Sequence, residues 1–223
     1  MFVRKMILLL QLFVSCHFIA TSQSRFELAI DVGPAFTRNI RYQNCTGRID
    51  PAVASSVAFT YKLNSSLGLE LKFSNLFSPT SYLKNGSDNV VKAYTISHIL
   101  LQHLLAGMNY YVPVQRIHPY FGLLAGASYA ETKETAPASS IYSFSWGFQV
   151  GAMLNLSAAT ALKVGDCFVI TPNVYNNTSY FNVAADGSGF PSFAVGNPSR
   201  ASILQWDLSI GIVIRLGKTR VDR

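Results

Sequence analysis

Leu204-Gln205-Trp206-Asp207-Leu208-Ser209-Ile210-Gly211-Ile212-Val213-Ile214-Arg215-Leu216 decides how the rest of the chain is read. Seven of its alternate positions are large and apolar. The residues between them are polar or small, Val213 excepted. Successive Cβ atoms of a strand point to opposite faces, so a two-sided strand repeats every second residue. Helical spacing would scatter these residues over mixed faces, so a strand is expected.

The same period recurs upstream. Phe26, Leu28, Ile30 and Val32 alternate with Glu27, Ala29, Asp31 and Gly33. Val57, Phe59, Tyr61 and Leu63 lead through Asn64-Ser65-Ser66 to Leu67, Leu69, Leu71 and Phe73, which predicts a β-hairpin. Residues 94–112, 119–130, 142–154 and 161–171 add four more strands. Alternation falters over 96–102, where a bulge is expected. Asp166 interrupts the apolar face of the 161–171 strand.

These eight strands are joined by short turns at 64–66, 113–118 and 155–160. Longer polar links lie at 37–54, 76–93, 131–140 and 172–200. Alternating short and long connections predict an all-β fold: an eight-stranded antiparallel up-and-down transmembrane β-barrel whose two ends face different compartments.

Composition agrees. The chain of 223 residues is 49% hydrophobic and only 13% charged, against about 25% charged in an average soluble domain. Past the first 25 residues no run of apolar residues is long enough for a membrane helix. An apolar, charge-poor chain without spanning helices is a large-cored soluble β protein or a membrane barrel. Residues 1–24 read as a secretory signal peptide, with Arg4 and Lys5 before the apolar run 6–14 and small residues at 20–24. Residues 25–223 are then an outer-membrane β-barrel domain, and the expected location is the bacterial outer membrane.

A charge on the lipid face is costly, about 2–4 kcal/mol for Lys or Arg at the midplane. The face bearing Glu27, Asp31, Lys62, Glu70, Lys72, Asp207 and Arg215 is therefore expected to be the lumen, with these residues as ion-pair candidates. Eight strands leave a space that side chains fill. Tyr61, Phe73, Tyr110, Tyr111, Tyr129, Tyr142, Trp146 and Trp206 are candidates for interfacial girdles. Tyr175, Tyr180, Phe181, Phe190 and Phe193 in the longest link are candidates for loop contacts.

Gly107-Met108-Asn109-Tyr110-Tyr111-Val112-Pro113, followed by His118-Pro119-Tyr120-Phe121-Gly122, resembles the centre of small barrels of the PorT-like/OmpA-like outer-membrane family of Bacteroidetes. The 211–216 segment looks like their last strand. Many outer-membrane barrels end on an aromatic residue read by the assembly machinery, a role that would fall here to Ile214 or Leu216. The resemblance implies an integral outer-membrane protein, usually with no assigned chemistry. The expected partners are outer-membrane lipid, the barrel assembly machinery and a surface ligand or protein partner still to be identified.

No catalytic, cofactor-binding or metal-binding residue is expected. His98 and His103 are five apart and point to opposite faces. Ser97-His98 invites comparison with lipid A 3-O-deacylases, whose nucleophilic Ser stands two residues after the His, where this chain has Leu100. Glu27 and Asp31 are roughly 13 Å apart along one strand face, too wide for a glycosidase pair. Gly122, Gly126, Gly147 and Gly151 lack the helix and Lys-Ser/Thr of a phosphate loop.

Without Arg4 and Lys5 the chain has 16 basic and 11 acidic residues. The basic ones are scattered and nucleic acid is not an expected partner. Cys45 and Cys167 could pair after export, but two cysteines make no disulfide framework. A side-chain-filled structural or surface-interaction barrel is the leading reading, and the chain is not expected to be an enzyme. A narrow channel, a lipocalin-like soluble carrier and a lipid A esterase are the alternatives.

Overall fold

The computed structural model describes residues 25–38, 40–41, 45–84, 92–114, 116–133, 140–174 and 201–216. Ten strands follow in chain order: β1 (Phe26–Thr37), β2 (Ile40–Arg41), β3 (Cys45–Ile49), β4 (Ala52–Lys62), β5 (Leu67–Lys84), β6 (Lys92–Tyr111), β7 (Ile117–Lys133), β8 (Ser140–Asn155), β9 (Thr160–Val174) and β10 (Ala201–Leu216). All pairings are antiparallel.

Eight lanes close the ring. Going round, β5 is followed by β4, β1, β10, β9, β8, β7 and β6, and β6 pairs back to β5. β3 continues the lane of β4: Ala54 faces Leu76 of β5, and Ile49 faces Thr80 higher on the same strand. The interruption falls at Asp50-Pro51, where proline has no N–H for the ladder. β2 adds only a two-residue pairing to β3. The predicted eight-stranded up-and-down barrel is thus the observed fold.

β1 pairs Phe26 with Leu216 and Thr37 with Gln205, so the barrel's first and last strands start and finish at one end. The turns at 63–66 and 156–159 lie at that end too, as do Tyr111 at the end of β6 and Ile117 at the start of β7. At the opposite end the strands run longer than expected. Much of the 76–93 link is strand, because β5 continues to Lys84 and β6 begins at Lys92. The 37–54 link likewise contains β2 and β3. The irregularity in 96–102 is a one-residue bulge: Thr80 faces Ser97 while Ser81 faces Thr95, leaving Ile96 extra.

Inside and outside follow the alternation. In β10, Ile203, Gln205, Asp207, Gly211 and Val213 are buried, while Trp206, Leu208, Ile210, Ile212 and Ile214 are exposed. The exposed wall carries Val32, Val57, Leu71, Phe73, Leu123 and Val150 among many others. Seen as a water-soluble domain this is inverted: large apolar side chains cover the outside and charges fill the middle.

Candidate functional site

The lumen collects the charged side chains. Near the short-turn end, Glu27 accepts from Arg215 Nε at 3.2 Å and faces Lys62 Nζ at 3.5 Å. Arg215 also donates to Asn155 Oδ1 and to the carbonyls of Ser157 and Ala158, tying the lumen floor to the β8–β9 turn. Lys62 Nζ stands 2.8 Å from the centroid of the Tyr111 ring.

One level higher, Glu70 is the hub. Asn109 Nδ2 donates to its Oε2 at 2.7 Å, and Gln149 Nε2 donates to its Oε1 at 2.8 Å. Gln149 also donates to Asn109 Oδ1 at 2.9 Å. A carboxylate held by two amides from β6 and β8 fixes three strands at once. Glycine at 122 leaves room for this amide: a Cβ there would lie 1.9 Å from Asn109 Oδ1, and Asn109 would have to move.

Beside this hub, Asp31 Oδ2 pairs with Lys163 Nζ at 3.0 Å, with side chains 1% and 6% exposed. Ser56 donates to the same oxygen at 3.3 Å. The other oxygen, Oδ1, has no hydrogen-bond partner. It lies against Gly211, where a Cβ would come within 2.1 Å. A buried pair with a proton donor from a third strand meets the requirement that charges away from water be paired and hydrogen-bonded.

Above this level a polar row crosses the barrel. Thr171, Ser145 and Ser128 are linked hydroxyl to hydroxyl, and Ser128 meets His103 Nδ1. His103 Nε2 donates to Gln205 Oε1 at 3.1 Å, and Gln205 Nε2 donates to Asp207 Oδ1 at 2.8 Å. The Ser128–His103 contact has the residue types of a nucleophile and base. Ser128 is 3% exposed and His103 1%, so no substrate reaches them.

Beyond that row the lumen is uncharged, with aliphatic side chains set among the buried hydroxyls of Ser78, Thr80 and Thr171. Leu76, Leu101 and Ile203 are each two residues nearer the long-link end than Ser74, His103 and Gln205, and with Ile99 they are almost fully buried. Two cavities among the lumen side chains measure about 10 Å³ each, room for about one water molecule apiece. The interior is a packed, charge-balanced filling, with Glu27, Asp31, Glu70 and Asp207 against Lys62, Lys72, Lys163 and Arg215.

All seven predicted ion-pair candidates point inward. Glu27, Lys62, Arg215 and Asp31 are in direct pairs. Glu70 and Asp207 are held by amides, and Lys72 lines the cavity it shares with Asp31, Ser74 and Asp207. The sequence reading missed Lys163, Asn109, Gln149, His103 and Gln205. All five occupy inward positions of their strands, and that parity was the available signal.

On the outer wall, Phe73, Tyr110, Tyr142, Trp146 and Trp206 are exposed, and Tyr61 and Tyr129 are half-buried. Tyr111 is a correction. It is 3% exposed and faces the lumen beside Tyr120, because it has the opposite parity to Tyr110. Aromatic rings gather in rows at both ends of this wall. Phe26 meets Phe59 and Tyr61 at 5.5 and 5.1 Å near the short turns. Phe36, Trp206, Phe168 and Phe148 form a continuous row that slants across β1, β10, β9 and β8 from the other end toward the middle of β8, with neighbouring centroids 5.5, 5.9 and 5.2 Å apart.

Cys167 is a buried free thiol, so the bridge to Cys45 weighed from the sequence is not formed. The contact candidates Tyr175, Tyr180, Phe181, Phe190 and Phe193 lie outside the described residues. Among the described residues no group of three or more His, Cys, Asp or Glu side chains is placed to hold a metal ion.

No family model matches the chain, and no curated protein matches it. Solved structures do. Neisserial surface protein A superposes with a TM-score of 0.57 at 12% identity, covering 88% of this chain and 100% of its own. The outer membrane protein OprG of Pseudomonas aeruginosa gives 0.52 at 12% identity, covering 88% and 98%. The chain therefore has the closed eight-stranded antiparallel barrel fold found in bacterial outer-membrane proteins.

Proposed function

We propose that the protein is an integral outer-membrane barrel with a closed, side-chain-filled lumen, acting through the surface presented at its long-link end. One observation carries the reading: the same strands expose Leu208, Ile210, Ile212 and Ile214 outward while burying charged groups such as Asp207 inside. A lipocalin-like carrier needs the reverse arrangement. Strand geometry sets the thickness. Phe26 to Phe36 spans ten residues, which at ~3.4 Å each and a tilt of about 40° make about 26 Å. The apolar band of such barrels is about 25 Å tall. Girdle positions at Tyr61, Phe73, Tyr110, Tyr129, Tyr142, Trp146 and Trp206 fit this band.

A structural or interaction role is favoured over transport by the packed lumen, where charged groups and the side chains of Leu76, Leu101 and Ile203 are almost fully buried. The loop bearing Tyr175, Tyr180, Phe181, Phe190 and Phe193 is the proposed contact surface, and outer-membrane lipid and the barrel assembly machinery are the proposed partners. Membership of the PorT-like/OmpA-like family belongs to the same proposal and rests on residues 107–122.

Fractionation tests the reading. The protein is expected with outer membranes, released only by detergent and changing gel mobility on boiling. Recovery in the soluble periplasmic fraction without detergent would sink it. Planar bilayers containing the folded protein are expected to show no sizeable ohmic conductance. Deleting 175–200 is expected to abolish surface binding while leaving the barrel folded.

A further inference from the structure

One cation of the lumen has no acid at its side. Lys62 and Arg215 pair with Glu27, and Lys163 pairs with Asp31. Lys72 is 4% exposed, and among the described residues its ammonium makes neither a hydrogen bond nor a direct ion pair. Ser74, the next inward residue of β5, is 3% exposed, and its hydroxyl makes no hydrogen bond there either. Both line the cavity of about 10 Å³ that also touches Asp31, Ser56, Asp207 and Ser209. Among the described residues, Asp31 Oδ1 is the one buried side-chain oxygen or nitrogen that is both sealed off and without a partner. Lys72 Nζ and Ser74 Oγ lack partners without being sealed, so they open on the space they share.

A buried ammonium without an acceptor is costly. Its neighbours narrow what can supply one. Ser56 already donates to Asp31 Oδ2, and Ser209 donates to the carbonyl of Gly165. Asp31 Oδ1 is closed to the cavity. Asp207 takes Gln205 Nε2 on both oxygens, at 2.8 and 3.1 Å, and meets no cation directly among the described residues. Each carboxylate oxygen has a second lone pair. Asp207 is therefore the acid left to answer Lys72. The two make no direct ion pair, yet they line one cavity. Glu27, Asp31, Glu70 and Asp207 already balance Lys62, Lys72, Lys163 and Arg215, so the cavity calls for no further ion.

We propose that this cavity is a binding site for one water molecule, which accepts from Lys72 Nζ, donates to an Asp207 oxygen and meets Ser74 Oγ. Room for one molecule and two to four polar partners are what a buried water requires. The water makes Lys72 and Asp207 the remaining ion pair of the lumen, joined through solvent instead of directly. A water bridge of this kind is enthalpically close to a direct hydrogen bond. It also ties β5 to β10, which β4 and β1 separate in the ring.

High-resolution crystals of the full barrel, grown from detergent with rubidium bromide, test the site directly. Rubidium and bromide scatter anomalously and water does not. One peak without anomalous signal is expected in the cavity, at about 2.7–3.2 Å from Lys72 Nζ and from an Asp207 oxygen. An anomalous peak there would make it an ion site and overturn the proposal. A cavity without a peak, or Lys72 bonded directly to Asp207, would overturn it as well.

Lys72→Met, Asp207→Leu and the double variant give a second arm in solution, with folding checked by the mobility shift on boiling. Oxygen-17 relaxation dispersion counts the long-lived internal waters of the barrel in nanodiscs. The double variant surrounds the cavity with apolar groups and is expected to hold one such water fewer than wild type. In urea titrations each single variant is expected to lower the midpoint more than the double does, because each leaves one charge without its counterpart. A double variant with the wild-type water count, or midpoint shifts that simply add, would overturn the water-bridged pair.

Discussion

The two ends of the lumen solve the same filling problem with opposite chemistry. From Glu27 to Glu70 the interior is charged, and every carboxylate there is met by a cation or an amide from another strand. Toward the other end it is uncharged, with Leu76, Leu101 and Ile203 packed among the hydroxyls of Ser78, Thr80 and Thr171. Charges cross-link strands at chosen points but carry a desolvation cost that only good geometry offsets. Aliphatic side chains need only shape and volume. The charged half should therefore respond to loss of a partner, and the uncharged half to loss of volume.

The largest expected effect breaks the charged half. Lys163→Met strands Asp31 and is expected to destabilise the barrel by about 4 kcal/mol. Adding Asp31→Leu should recover most of that loss, because an apolar pair carries no unpaired charge. Urea titration of the folded barrel in vesicles reads both. A double variant no better than Lys163→Met would mean that the pair is not a unit.

In the uncharged half, Leu101→Ala is expected to cost about 3 kcal/mol from lost burial and residual cavity. A loss below about 1 kcal/mol would show this half to be loosely packed. Gly122→Ala tests the geometry of the hub by pushing on Asn109, at an expected cost of about 2 kcal/mol. The same titration checks it, and an unchanged midpoint would mean that Asn109 can shift freely. Smallest of all is Arg48→Ala. It removes an exposed pair with Asp50 at 3.1 Å, and a change under about 1 kcal/mol is expected.

The contrast also separates what the sequence revealed from what it concealed. Glu27, Asp31, Glu70, Lys72 and Asp207 were legible because each occupies the polar alternate of a regular apolar strand, and burying charge on the lipid side is prohibitive. Lys163 obeys the same rule, but it shares its strand with Asp166, which faces the other way and drew the reading toward itself. The His103–Gln205 contact joins residues 102 apart in sequence. Only ring closure and register bring them together, and neither is encoded locally.

The rise of β5 and β6 beyond the aromatic rows was hidden for a different reason. Where a strand leaves the apolar band it no longer needs apolar alternation. Phe77-Ser78-Pro79-Thr80-Ser81 therefore reads as a link although it is strand.

Oxygen accessibility along β10 tests the central claim most directly. Single nitroxide labels at 210, 212, 213 and 214, on a cysteine-free background in vesicles, are read by electron paramagnetic resonance. Labels at 210, 212 and 214 are predicted to relax strongly with oxygen and weakly with a water-soluble nickel chelate, while the label at 213 is shielded from both. High chelate accessibility at 210, 212 and 214 would place that apolar wall in water and contradict the membrane barrel.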